Sequence, residues 1–160
     1  MEKLLADLVA RATEVSAGAG GAQISIIGWS LGGIYSREIA KQCPDLVRQV
    51  ITLGTPFKSI GEGTNAARVY EMLSKDTSHR NPEILRKLGE RPPVPFTSLY
   101  SKSDGVVHWE CSIEEESDTS QNIEIPAASH LGLGHNPIAM YVIANRLTQT
   151  RSNWTPFKTN

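Results

Sequence analysis

Apolar positions recur along this chain with two alternating periods, and that alternation sets out its elements. Leu4, Leu5, Leu8, Ala12 and Val15 share one helical face over residues 1–17, and the glycine-rich stretch 18–21 ends that helix. Residues 23–27, Gln-Ile-Ser-Ile-Ile, are short and β-branched, as expected of a strand buried in a parallel sheet. After a glycine-rich turn, Ile34, Tyr35 and Ile39 restore the helical period over 31–42, and Pro44 stops it because proline has no backbone N–H to continue the ladder. A second strand is expected at 47–53, closed by Gly54-Thr55-Pro56, a third at 96–100 and a fourth at 122–125. Asn136 and Pro137 suit the cap and first position of a last helix, with Ile138, Tyr141, Val142 and Leu147 expected on its buried side.

The regularity breaks over residues 57–93. Two helical candidates, 65–73 and 82–88, precede Arg91-Pro92-Pro93, and the stretch reads as a cap or lid inserted outside the sheet. Residues 151–160 read as a tail, so that 1–160 forms a single domain. Strands alternating with helices predict an α/β fold: a mostly parallel sheet with right-handed crossovers, whose ligands bind beyond the carboxyl ends of the strands. Functional side chains are therefore sought just after strands.

Composition narrows the function classes. A chain of 160 residues can build one core. With a net charge of −1 and no dense Lys/Arg stripe, it lacks the positive field that nucleic acid or an anionic membrane would require. A small-molecule partner is expected. Cys43 and Cys111 show neither a C-x-x-C nor a Cys/His metal spacing and read as small buried hydrophobes. No apolar run approaches the roughly 20 residues of a membrane span, and the start lacks the pattern of a secretion signal, so a soluble, cytoplasmic chain is expected.

Gly28-Trp29-Ser30-Leu31-Gly32 directly follows the first strand and opens a helix, the setting in which G-x-S-x-G marks a strained turn presenting a nucleophilic serine. Gly28 and Gly32 leave room for the backbone to fold back, and Gly33 lets the helix lie close to the strand. Because the turn ends at a helix N-terminus, the Leu31 N–H can face the oxyanion of a tetrahedral intermediate. Serine needs a base, and the base a carboxylate to orient it. Asp104 follows the third strand and His130 the fourth. The competing readings are an Asp-Gly turn for Asp104, with Asp118 and Glu110 as other acids, and His135 as the other base. His108 reads as a packed or partly exposed ring, and His79 as a surface residue of the insertion. Gly18–Gly21 follows a helix and precedes a strand, the reverse of a phosphate cradle, and reads as a connection. Trp29, Ile60, Met72 and Leu73 could line an acyl pocket, although apolar residues at helical spacing more often belong to a core.

The segments IIGWSLGGIYSREIA, VRQVITLGTPF, YSKSDGVVHWE and SHLGLGHNP resemble the elbow, the following strand, the acid loop and the histidine loop of α/β-hydrolase lipases and esterases. The resemblance implies a partial α/β-hydrolase fold in which Ser30, Asp104 and His130 act as nucleophile, acid and base, and Leu31 as an oxyanion donor. It implies hydrolysis of a small-molecule or lipid carboxylic ester through an acyl-enzyme, with no metal or organic cofactor. In similar enzymes several strands precede the elbow strand, and a loop among them supplies a second oxyanion N–H. Here only one helix precedes it, so the upstream strands are expected to be missing and the first strand to be left as an apolar edge open to self-association. Two alternatives follow: a catalytically inert domain that needs a missing segment or partner, and an acyltransferase built on the same serine.

Overall fold

The computed structural model describes residues 2–58 and 82–158. Its elements are α1 (Glu2–Gly18), β1 (Ile24–Trp29), α2 (Leu31–Gln42), β2 (Val47–Leu53), α3 (Pro82–Gly89), β3 (Phe96–Tyr100), β4 (Ser120–Glu124) and α4 (Pro137–Leu147), with short 3-10 turns at Trp109–Ser112 and Gly132–Gly134. The four strands form one sheet in the order β1-β2-β3-β4, and every neighbouring pair is parallel. The β1-α2-β2 unit is the crossover that the change of period predicted. β1 runs two residues further than expected, through Gly28 and Trp29, so the serine turn starts at the strand's last hydrogen-bonded register, Trp29 opposite Leu53. The helix expected at 65–73, with Ile60, Met72, Leu73 and His79, lies outside the described residues.

The two faces of the sheet bury separate cores, because successive strand side chains point to opposite sides. On one side Val47, Val50 and Phe96 pack with Leu5, Ala12, Ile34, Ile39 and Ala40 of α1 and α2. On the other, Ile51, Leu53, Leu99 and Ile123 pack with Leu133 and with Ala139, Val142 and Ile143 of α4. From the stretch read as an insertion, Phe57 and Leu88 join the first core, as does Val94 just after it. β1 occupies one edge of the sheet, as expected, and Ile27 and Trp29 on it are exposed.

Three details differ from the sequence expectation. In α1, Leu4 and Val15 are exposed, and the buried face runs through Leu5, Ala12 and Ser16. In α4 the buried stripe is Ala139, Val142, Ile143 and Arg146, while Ile138, Tyr141 and Leu147 are exposed. The helix is apolar nearly all round, so its period left the orientation open, and a charged residue settles it. The Arg146 guanidinium donates to Thr155 O at 2.6 Å and Asn145 Oδ1 at 2.6 Å and lies beside the rings of Trp154 and Phe157. Burial holds it below the usual arginine value. The same contacts bring down the residues read as a tail: Trp154 is buried, and Phe157 exchanges hydrogen bonds with Gln121.

Candidate active site

Four chain segments meet at the carboxyl rim of the sheet, one beyond each strand. Ser30 follows β1 with φ 53° and ψ −124°, a left-handed conformation that costs a non-glycine residue about 1–3 kcal/mol unless its surroundings impose it. Here two backbone bonds impose it: Ser30 N–H donates to Leu53 O at 2.8 Å, and Gly33 N–H donates to Ser30 O at 3.1 Å. The glycines have unequal parts. A Cβ at Gly28 would come within 2.5 Å of Gly33 Cα, and one at Gly33 would run into the Thr55 side chain, but one at Gly32 would meet nothing within 4 Å. The close approach expected of Gly28 and Gly32 thus falls on Gly28 and Gly33. Leu31 opens α2, where first-turn N–H groups have no intrahelical acceptor, so its amide is available to an anion.

Asp104 and His130 stand together. His130 Nδ1 lies 2.7 Å from Asp104 Oδ2, and the two side chains are only 8% and 2% exposed. Asp104 Oδ1 accepts from Val106 N–H at 2.9 Å and Val107 N–H at 2.8 Å. One oxygen of Asp104 thus caps its own turn while the other meets the imidazole. A carboxylate accepting from Nδ1–H leaves Nε2 as the basic nitrogen. The competing residues Asp118, Glu110, His108 and His135 are all exposed, and His108 sits 3.4 Å from Glu110. Among the described residues no hydrogen bond within 3.5 Å joins Ser30 Oγ to the imidazole. The link between the two segments runs through Trp29, whose indole N–H donates to His130 O at 3.1 Å.

Gly54, at the end of β2, belongs to this site and was read from sequence only as part of a turn. Its φ is +51°, and a Cβ there would lie 2.9 Å from Asp104 Oδ2, 2.9 Å from Leu133 Cδ1 and 3.2 Å from His130 Nδ1. The acid–imidazole pair therefore rests directly on the glycine backbone. The signal in the sequence was a glycine at a strand's carboxyl end, the same position relative to β2 that Ser30 holds relative to β1. Elsewhere, an open cleft of about 340 Å³ lined by Arg91, Glu114, Glu115, Glu116 and Ser117 lies at the opposite, amino end of β3 and β4. Among the described residues no group of three or more His, Cys, Asp or Glu is arranged to hold a metal ion. None of their helices is long and apolar enough to cross a membrane.

No protein-family model matches the chain. Among curated proteins it is 30% identical over 105 residues to a homoserine O-acetyltransferase of Deinococcus radiodurans, spanning 52% of this chain and 30% of that protein. It is 41% identical over 51 residues to a triacylglycerol lipase of Pseudarthrobacter phenanthrenivorans, spanning 32% of this chain and 16% of the lipase. Among solved structures, Aspergillus fumigatus lipase B superposes with a TM-score of 0.71 at 18% identity, over 90% of this chain and 41% of that one. An alpha-beta serine hydrolase homologue from Coxiella burnetii gives 0.60 at 18% identity, over 91% and 58%. The chain thus spans less than a third of those curated relatives and about half of those solved structures. A four-stranded parallel sheet flanked by helices, matched over nine-tenths of its length by these hydrolases, gives the chain a partial α/β-hydrolase fold.

Proposed function

We propose that this protein cleaves a carboxylic ester through an acyl-enzyme on Ser30. The observation that carries the reading is the buried Asp104–His130 pair, 2.7 Å apart, at the same sheet rim as a serine held at φ 53°. In the proposed cycle Ser30 Oγ attacks the ester carbonyl while its proton passes to His130 Nε2. Asp104 fixes the imidazole and stabilises the imidazolium, and the Leu31 N–H donates to the oxyanion. Collapse expels the alkoxide, which leaves with the His130 proton as an alcohol. Water then attacks the acyl-serine, giving its proton to His130, and the carboxylic acid departs as the proton returns to Ser30. Rotation of the serine side chain closes the remaining contact, as catalytic hydrogen bonds commonly tighten once substrate is bound. The lipases and carboxylesterases of the same fold support an ester as the substrate class. The test is hydrolysis of a short-chain p-nitrophenyl ester: the chain should turn it over, and Ser30→Ala should abolish turnover. Undiminished turnover by Ser30→Ala would overturn the proposal.

A second reading is favoured by the 105-residue match to an O-acetyltransferase. The same acyl-serine can pass its acyl group to an alcohol instead of water. Product analysis with an added alcohol separates the two: free acid alone supports hydrolysis, and a new ester supports transfer.

A further inference from the structure

Beyond the residues that carry the proposed chemistry, we infer that Trp29 is the positioning residue for His130. This rests on the reading of His130 as the base. The backbone ladder fixes the first residue beyond β1, β2 and β4: Ser30 N–H bonds Leu53 O, Gly54 N–H bonds Leu99 O, and Ile125 N–H bonds Tyr100 O. His130 lies six positions beyond the end of β4, past Ala127 with its left-handed φ of 54°, in a loop the ladder does not reach. Ala128 and Leu133 anchor the loop in the second core on either side of it, and two hydrogen bonds engage the histidine itself. The Asp104 bond grips the ring at Nδ1 but makes no contact with the histidine backbone. The Trp29 indole N–H grips the backbone carbonyl at 3.1 Å, and its ring packs against the imidazole with centroids 5.3 Å apart and planes inclined at 36°. Together they fix both ends of the histidine.

Trp29 is also the residue immediately before Ser30, on the last paired register of β1. One side chain thus references the base to the nucleophile's own strand, so that a displacement of the histidine loop must move Trp29 or break its hydrogen bond. Trp29 as a whole is 43% exposed, more than core packing would leave open, and its indole N–H is used on the loop carbonyl. Sequence inspection registered Trp29 only as a residue that could line a pocket.

The experiment compares wild-type chain with Trp29→Phe, which keeps an aromatic ring but lacks the N–H, and with Trp29→Leu, which lacks both. With a short-chain p-nitrophenyl ester, kcat should fall about fivefold for Trp29→Phe, the scale of one lost hydrogen bond, and further for Trp29→Leu. KM should be nearly unchanged, and the acidic limb of the kcat pH profile, where activity is lost as the base becomes protonated, should move. A second measurement needs no turnover: in the proton NMR spectrum the His130 Nδ1–H resonance, assigned by its loss in His130→Ala, should exchange with solvent faster in both Trp29 variants. Wild-type kcat, pH profile and exchange rate in Trp29→Phe would overturn the inference. So would a fall in kcat accompanied by an unchanged exchange rate and pH profile, which marks a purely structural loss. Failure of the serine reading is distinguishable, because it appears as turnover surviving Ser30→Ala while the exchange measurement still reports on Trp29.

Discussion

Among the described residues two buried acid–base pairs stand out, and comparing them separates a structural lock from a candidate site. Arg37 and Glu114 are 2.8 Å apart with side chains 0% and 5% exposed, while His130 and Asp104 are 2.7 Å apart at 8% and 2%. By distance and burial they are nearly the same object. The surroundings differ. Arg37 lies over the rings of Phe57 and Phe96 and donates to Gly89 O and Glu90 O as well as to Glu114, so it ties α2 to the end of α3 from inside the first core. His130 spends one ring nitrogen on Asp104, and among the described residues Nε2 makes no hydrogen bond, at a rim where Ser30 is held in a left-handed turn. Burial and pairing are common to both; a ring nitrogen left over, at a rim that also holds a serine at positive φ, belongs to one.

The contrast predicts opposite consequences for breaking each pair. Asp104→Asn should lower kcat by about 10⁴-fold, because it presents the wrong imidazole tautomer, while leaving the urea unfolding midpoint close to wild type. A similar midpoint with undiminished turnover would erase the distinction. Glu114→Gln should do the reverse, costing about 3 kcal/mol of stability in urea denaturation by leaving the Arg37 charge buried beside a neutral amide. Per folded molecule, turnover should persist. Gly54→Ala sharpens the comparison, since a methyl there would press on both Asp104 and His130. Displacing the pair by a fraction of its bond length should cost about 10²-fold in kcat/KM, and a wild-type value would show that the close fit at Gly54 is immaterial.

Most of the framework was legible because it depends on local chemistry. Short apolar runs on either side of a helical period located β1, α2 and β2, and the rule that ligands gather beyond strand ends selected Ser30, Asp104 and His130 as candidates. What stayed hidden depends on distant packing. The face that α4 buries is set by Arg146 meeting Thr155 and two aromatic rings, contacts no periodicity contains. Gly54 could be read as a turn, but its closeness to Asp104 and His130 requires the loops after β3 and β4 to converge on it. Trp29 could be read as apolar, but its bond to a carbonyl 101 residues away could not.

The central claim is that Ser30 is activated by His130 and Asp104 acting as one unit. A fluorophosphonate probe, with the modified peptide located by mass spectrometry, tests it directly. The account predicts labelling at Ser30 in the wild-type chain and strong suppression in both His130→Ala and Asp104→Asn. Labelling at another serine, or at Ser30 with equal speed in those two variants, would contradict it.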